Sequence, residues 1–307
     1  MTEVESEEPK YKLECIREDR ELCVDIRLPD PSLFSFLQDM NSVPTIFFIH
    51  GSMATKNQFY DLLSLLQNKY PGYRYILYDA YGCGNSPKPY SPESYTTTHL
   101  IDDAIAIYDK YKTKKNLIIS HSFGTSITAS LMNILESRDN KDGNNKEEVS
   151  CVLLGTADFK EKSAIFYLPI FFLDWIRDYL SRGFIALAFS PATTEEHKQK
   201  CLDVNAKNLM YVVKFFYSGM TWATVEHWNS LKRMCGKERI LIVQGKDDKL
   251  TEPQLAKNLC NILFDDNNYQ NQNQNNYVEV EDAGHMLMQE KSQQVFEIIS
   301  KFFQKVL

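Results

Sequence analysis

The stretch Leu117-Ile118-Ile119-Ser120-His121-Ser122-Phe123-Gly124 constrains the chain more than any other. Three apolar residues run directly into a small-x-Ser-x-Gly turn, and residues 125–135 then read as a helix. A strand that enters a helix through so tight a turn holds its central Ser at a strained dihedral, and the side chains around it must be small. Gly124 meets that need, whereas Ser120 adds a side chain at a crowded position where the pattern usually has Gly. A Ser between a strand and a helix is by itself an ordinary structural element. Its meaning depends on what the rest of the chain brings to the same end of the sheet.

The surrounding pattern alternates. Residues 11–17 and 22–28 form short strand-like runs around a polar turn, an opening hairpin. Residues 45–49 are continuously apolar, as expected of a strand buried on both faces of a parallel sheet, and empty into His50-Gly51-Ser52-Met53. A helical stripe over 57–69, a strand at 75–78 and a helix over 98–111 lead to the central strand. After it, strands are expected at 149–154, 239–243 and 277–280, with helices over 252–264 and 293–307. The charged stretch 139–148 and the Asn/Gln tract 265–276 read as surface loops. Such alternation implies right-handed crossovers and a mostly parallel central sheet flanked by helices.

The alternation breaks between Asp158 and Lys237. No strand is convincing there, and the segment is helix-like and rich in aromatics, among them Phe166, Phe171, Trp175, Phe216, Trp222 and Trp228. An insertion of this kind after a sheet strand forms a helical cap over the strand ends. Most of its aromatics are expected to pack the cap onto the core, and a minority to line a pocket beneath it. The expected organisation is therefore a core of residues 1–157 and 237–307, interrupted by a cap over 158–236.

Charge and cysteine content narrow the classes of function. A formal net charge of -7 with no basic stripe argues against nucleic acid as a partner. The seven cysteines form no C-x-x-C pair, and most lie in apolar patterns, which suits reduced thiols in a cytoplasmic protein. The start of the chain, residues 1–9, is acidic and polar without the apolar stretch of a secretory signal. The longest apolar run, residues 166–176, contains Pro169 and Asp174 and falls short of the roughly 20 residues of a membrane span, so no transmembrane segment is expected. Neither a dinucleotide fingerprint nor a P-loop occurs, and no metal-ligand cluster has useful spacing; no cofactor and no metal are expected.

The order of the remaining motifs resembles the α/β-hydrolase fold, in its esterase- and lipase-like serine hydrolases, and the likeness covers nearly the whole chain. A His-Gly loop comes first, followed by the D-x-x-G-x-G-x-S loop at 79–86 and the turn at Ser122. The cap-like insertion follows, then G-x-x-D at 245–248 and Ala283-Gly284-His285. This Ser…Asp…His order is the one that fold uses. A serine hydroxyl is a poor nucleophile at neutral pH and needs an adjacent base. His285, on a loop after the last strand, is the candidate, since the other five histidines sit in other motifs or in expected helices.

The base in turn needs a carboxylate to fix its tautomer. Asp248 closes the G-x-x-D spacing; Asp247 beside it and Asp158 after the preceding strand are its competitors. The resemblance implies that the backbone N–H groups of Ser52 and Phe123 form an oxyanion hole. Asp79 reads as a tie for its own loop rather than a catalytic group. Relatives with an Asp nucleophile, such as epoxide hydrolases and haloalkane dehalogenases, are disfavoured because Ser122 holds that place. What the resemblance implies is a serine hydrolase cleaving a small-molecule or lipid-like carboxylic ester, with an apolar acyl group suggested by the aromatic cap. Peripheral contact of the cap with a membrane is compatible with that composition. Two alternatives stay open. One is a catalytically silent binding or scaffold protein, favoured by Ser120; the other is an acyltransferase of the same fold, for which His285-x-x-x-x-Glu290 is only a near miss to an H-x-x-x-x-D pattern.

Overall fold

The computed structural model describes residues 12–32, 40–142, 147–158, 168, 173, 175–264 and 276–306. Its centre is an eight-stranded sheet in the order β1-β2-β4-β3-β5-β6-β7-β8. The hairpin β1 (Lys12–Arg17) and β2 (Arg20–Arg27) lies at one edge, and β2 runs antiparallel to β4 (Arg74–Asp79). From β4 onward the pairing is parallel, through β3 (Thr45–Ile49), β5 (Lys115–His121), β6 (Glu148–Leu154), β7 (Ile240–Gly245) and β8 (Tyr277–Val280). The continuous apolar runs sit where their chemistry requires. Every residue of β3 and β7 is buried, because helices cover both faces of the sheet.

Two hydrophobic layers result. On one face, α1 (Tyr60–Lys69) and α10 (Ser292–Val306) press Leu62, Leu66, Val295, Ile299 and Phe302 onto Phe48, Ile119 and Val243. On the other, α2 (Thr97–Tyr111), α3 (Phe123–Asp142), α7 (Val225–Cys235) and α8 (Pro253–Phe264) cover Phe47, Ile118 and Ile242. Full burial of each such side chain contributes about 1.5–3 kcal/mol relative to exposure, so the paired layers hold the sheet rigid. The helical run after the turn is longer than residues 125–135: α3 begins at Phe123 and extends to Asp142, into the stretch expected as a charged loop.

The insertion between β6 and β7 is helical, with α4 (Ile176–Ala188), α5 (Glu195–Asn205) and α6 (Met210–Gly219) over the carboxyl ends of the strands. Helix α7, at the end of the expected 158–236 cap, instead packs on α3 and β6 in the core layer. Its Trp228 is fully buried, and Phe215 and Phe216 of α6 are buried too, so these cap aromatics join the core. Phe184, Tyr217 and Trp222 line a cavity beneath the insertion. Phe166, Tyr167, Phe171, Phe172 and the 265–275 part of the Asn/Gln tract lie outside the described residues.

Candidate active site

Strand β5 lies inside the sheet between β3 and β6, so the turn at its end opens at the middle of the carboxyl edge. There Ser122 has φ 53°, a left-handed conformation that a non-glycine residue adopts at a cost of about 1–3 kcal/mol. Three hydrogen bonds hold it. The Ser122 N–H donates to Leu154 O at 2.9 Å, while its carbonyl accepts the Thr125 N–H at 2.9 Å and the Thr125 hydroxyl at 2.7 Å. Gly124 is required by close approach, since a Cβ there would lie 2.4 Å from Ile49 O. Ser120 is accommodated in full burial, and its hydroxyl has no partner among the described residues.

The neighbouring strand ends bring up the other groups. His285 follows β8 by five residues and Asp248 follows β7 by three, which lets two short loops converge on the turn. His285 Nδ1 donates to Asp248 Oδ2 at 2.7 Å, and both side chains are almost wholly buried. The rest of the Asp248 carboxylate is saturated. Oδ1 accepts the N–H groups of Leu250 and Thr251, each at 2.8 Å, and Oδ2 accepts Gln244 Nε2 at 2.9 Å. The Thr251 hydroxyl lies 2.7 Å from Oδ2 and 3.1 Å from His285 Nδ1. Burial pushes the Asp248 carboxyl up, but the imidazole beside it and these hydrogen bonds outweigh burial and hold it below the ordinary range.

Neither competing carboxylate reaches the imidazole. Asp247 accepts the Ser190 hydroxyl at 2.6 Å, pointing toward the insertion. Asp158 sits at the end of β6, where its carbonyl accepts Trp228 Nε1 at 3.2 Å, and its Oδ1 has no partner among the described residues. His121, within the turn, is also buried; its Nε2 donates to the His285 carbonyl at 2.9 Å and the two rings stand 4.6 Å apart. Burial holds the His121 imidazole well below its usual basicity, and the neighbouring His285 adds to that effect.

Ser122, His285 and Ser52 line one cavity of about 610 Å³ under α4–α6, a volume in the range of small-molecule sites. Phe123, one of the expected oxyanion donors, directly follows Ser122, and Gly51, the residue before the other, stands so near that a Cβ on it would lie 3.1 Å from Ser122 Cβ. The Ser52 loop is fastened to the insertion, with Ser52 Oγ 3.1 Å from Tyr217 Oη and Asn208 Nδ2 donating to Met53 O at 3.0 Å. His50 stays buried behind it. Its Nδ1 donates to Gly51 O at 2.7 Å and its Nε2 accepts the Ala80 N–H at 2.8 Å. The apolar wall comes from Leu180, Phe184, Met210, Val213, Met220 and Trp222. Sequence reasoning missed Thr251 and Gln244, whose side chains complete the shell around Asp248. Nothing in their local pattern marks them, because only the turn after β7 brings them onto the carboxylate.

A parallel sheet wrapped by helices, a strained serine at the central strand end and a buried histidine–carboxylate pair beside it define the class of α/β hydrolases. The chain belongs to the alpha/beta hydrolase fold family, which matches residues 44–292. Among curated proteins it is similar to Protein ABHD8 of Homo sapiens, with 27% identity over 225 residues, covering 71% of this chain and 48% of that protein. The chain thus spans about half the length of the curated relatives it matches. Solved structures share the fold. A thermophilic esterase from Thermogutta terrifontis superposes with a TM-score of 0.69 at 15% identity, covering 94% of each chain. The enol-lactonase from Burkholderia xenovorans LB400 gives 0.70 at 16% identity, covering 96% of this chain and 99% of that one.

Proposed function

We propose that this protein is a serine hydrolase that cleaves carboxylic esters with an apolar acyl group, through an acyl-enzyme on Ser122. The observation that carries the reading is the buried 2.7 Å His285–Asp248 pair on the same cavity as the strained Ser122. With the Nδ1 proton kept on the ring and donated in a hydrogen bond to Asp248, Nε2 is the nitrogen left to act as base. Ser122 Oγ attacks the ester carbonyl carbon as its proton passes to His285 Nε2. The N–H groups of Ser52 and Phe123 receive the oxyanion that forms. Collapse breaks the ester bond, and the departing alcohol takes the proton from His285. A water molecule, deprotonated by the same nitrogen, then attacks the acyl carbonyl; the acyl–Oγ bond breaks, Ser122 Oγ takes the proton back from His285, and the acid is released.

The apolar wall supplied by α4, α6 and the residues after α6 supports an apolar acyl group. The same insertion supports peripheral contact with a lipid surface, because Trp175, just before α4, and Tyr179 on it are exposed while Leu180 and Phe184 face the cavity. Trp and Tyr suit such an interface, having one apolar and one polar end.

The test is fluorophosphonate labelling together with turnover of a short p-nitrophenyl ester. The wild type should label at Ser122. Ser122→Ala and His285→Ala should each lower kcat by about 10⁴ or more, and the double variant should lose little beyond either, because the two act as one unit. A second reading, a binding protein without turnover, draws on the Ser120 side chain in the turn. Folded wild-type protein that fails to label would establish it and end the hydrolase reading.

A further inference from the structure

Among the described residues, the loop that carries His285 is joined to the insertion where α4 ends, and Glu290 makes much of the joint. Helix α4 ends at Ala188, and α5 begins at Glu195. The Ala188 carbonyl accepts the His285 N–H at 2.6 Å, and the Leu187 carbonyl accepts the Lys249 N–H at 3.3 Å. The end of α4 is thereby bonded to both the base loop and the acid loop. Glu290 closes the short helix α9 (Leu287–Glu290) that follows His285. Its Oε1 accepts the Gly284 N–H at 3.0 Å; its Oε2 accepts the Ser190 N–H at 2.9 Å and the Thr193 hydroxyl. The backbones here meet directly, because a Cβ on Gly284 would lie 2.5 Å from Ala188 O and 2.7 Å from Ser190 N.

We propose that Glu290 is a positioning residue that ties the His285 loop to the root of the insertion, so that the two are placed together. The inference rests on the reading of His285 as the base. Two consecutive amides, those of Gly284 and His285, are held by Glu290 and by Ala188, which fixes the backbone from which the imidazole projects. A carboxylate suits this task because each of its oxygens accepts, so it can bridge backbone N–H groups on two segments at once. Charge also strengthens such bonds over neutral ones. A carboxamide of the same size has one accepting oxygen, and its NH₂ would face a backbone N–H. The residue that makes His285-x-x-x-x-Glu290 a near miss to an acyl-transfer pattern is therefore engaged on both oxygens, one by the base loop and one by the root of the insertion.

The experiment compares Glu290→Gln, Glu290→Ala and Glu290→Asp with the wild type and with Ile299→Val, which removes a core methyl on α10 without touching the hydrogen bonds of the joint. Four quantities are read: kcat per site titrated with fluorophosphonate, KM, the thermal midpoint, and the far-downfield proton signal of the His285 Nδ1–H held by Asp248. Glu290→Gln and Glu290→Ala should lower kcat about 10- to 100-fold, the scale of a misplaced catalytic group, with KM for a short ester changed less than twofold. Their imidazole signal should shift or broaden. Glu290→Asp, which keeps both accepting oxygens, should recover part of kcat, and Ile299→Val should lower the midpoint with kcat and the signal intact. Should the larger changes prevent folding, Thr193→Val removes one donor from the same carboxylate and should still cost a severalfold drop in kcat. A lowered midpoint with kcat per site and the imidazole signal unchanged would overturn the proposal and leave Glu290 a purely structural residue. A wild type that neither labels nor turns over esters would remove the hydrolase reading alone, since the imidazole signal decides the positioning by itself.

Discussion

At the scale of the residue, the carboxylate beside His285 separates three aspartates that look alike in sequence. Asp247, Asp248 and Asp158 all follow buried strands, and only the geometry of the loops assigns one of them to the imidazole. Asp248→Asn should therefore lower kcat far more than Asp247→Asn or Asp158→Asn, by about 10⁴ where the carboxylate sets the imidazole tautomer. A pH dependence follows from the same environment. The folded Asp248 carboxyl is held below its ordinary range, so the stability it contributes is present above the unfolded value of about 3.9 and is lost as pH falls through the folded one. Urea unfolding of wild type and Asp248→Asn should show a stability gap that narrows as pH is lowered below about 4. A constant gap, or a greater loss of activity in Asp158→Asn, would contradict this assignment.

At the scale of the element, the loop after β3 is locked by a buried ion pair. Lys56 Nζ lies 2.6 Å from Asp79 Oδ2, with both side chains at most 2% exposed. Asp79 also accepts the Lys56 N–H at 2.8 Å and the Asn85 N–H at 3.0 Å, so it ties the Ser52 loop to its own loop after β4. Burial pushes the Lys56 ammonium down, but Asp79 more than offsets this and raises it. Its contribution is thus intact below the ordinary lysine range and is lost as pH rises through the folded value. Lys56→Met should destabilise the protein by about 3–5 kcal/mol, because it leaves the Asp79 charge buried and unpaired. Denaturant melts would measure this, and a cost within about 1 kcal/mol would show that the pair is not what locks the loop. The role of Asp79 as a tie was legible in the glycine-rich composition of its loop. Its partner was not, because a lysine at the head of an amphipathic helix reads as solvated.

At the scale of the molecule, the insertion is both a wall of the cavity and the anchor of two loops. It touches the Ser52 loop through Tyr217 and Asn208, and the His285 loop through Ala188 and Ser190. If the apolar wall receives the acyl chain, each buried methylene contributes about 0.8 kcal/mol. Extending an ester from acetyl should then raise kcat/KM severalfold per methylene until the cavity is full, provided the burial is kept in the transition state. Val213→Phe, which narrows the wall, should move the optimum to shorter chains. A flat profile in the wild type would remove the support for an apolar acyl group.

The sheet, its flanking helices and the Ser122 turn were legible in the sequence because they rest on local physics. Strands buried on both faces must be continuously apolar, covering helices must be amphipathic, and the turn must have Gly124 where a Cβ would lie 2.4 Å from Ile49 O. The helical character of the insertion was legible for the same reason, from its lack of strand pattern. Which of its aromatics join the core and which line the cavity was decided only by packing: Phe216 and Trp228 lie in the core, Phe184 and Trp222 on the cavity. The extension of α3 past residue 138 also escaped the local pattern, since charged residues are as much at home on a solvated helix as in a loop. The choice among the aspartates, the shell of Thr251 and Gln244, and the joint at Glu290 belong wholly to the tertiary structure. Each depends on contacts between loops after different strands, and the spacing along one loop carries no information about the direction of a side chain on another.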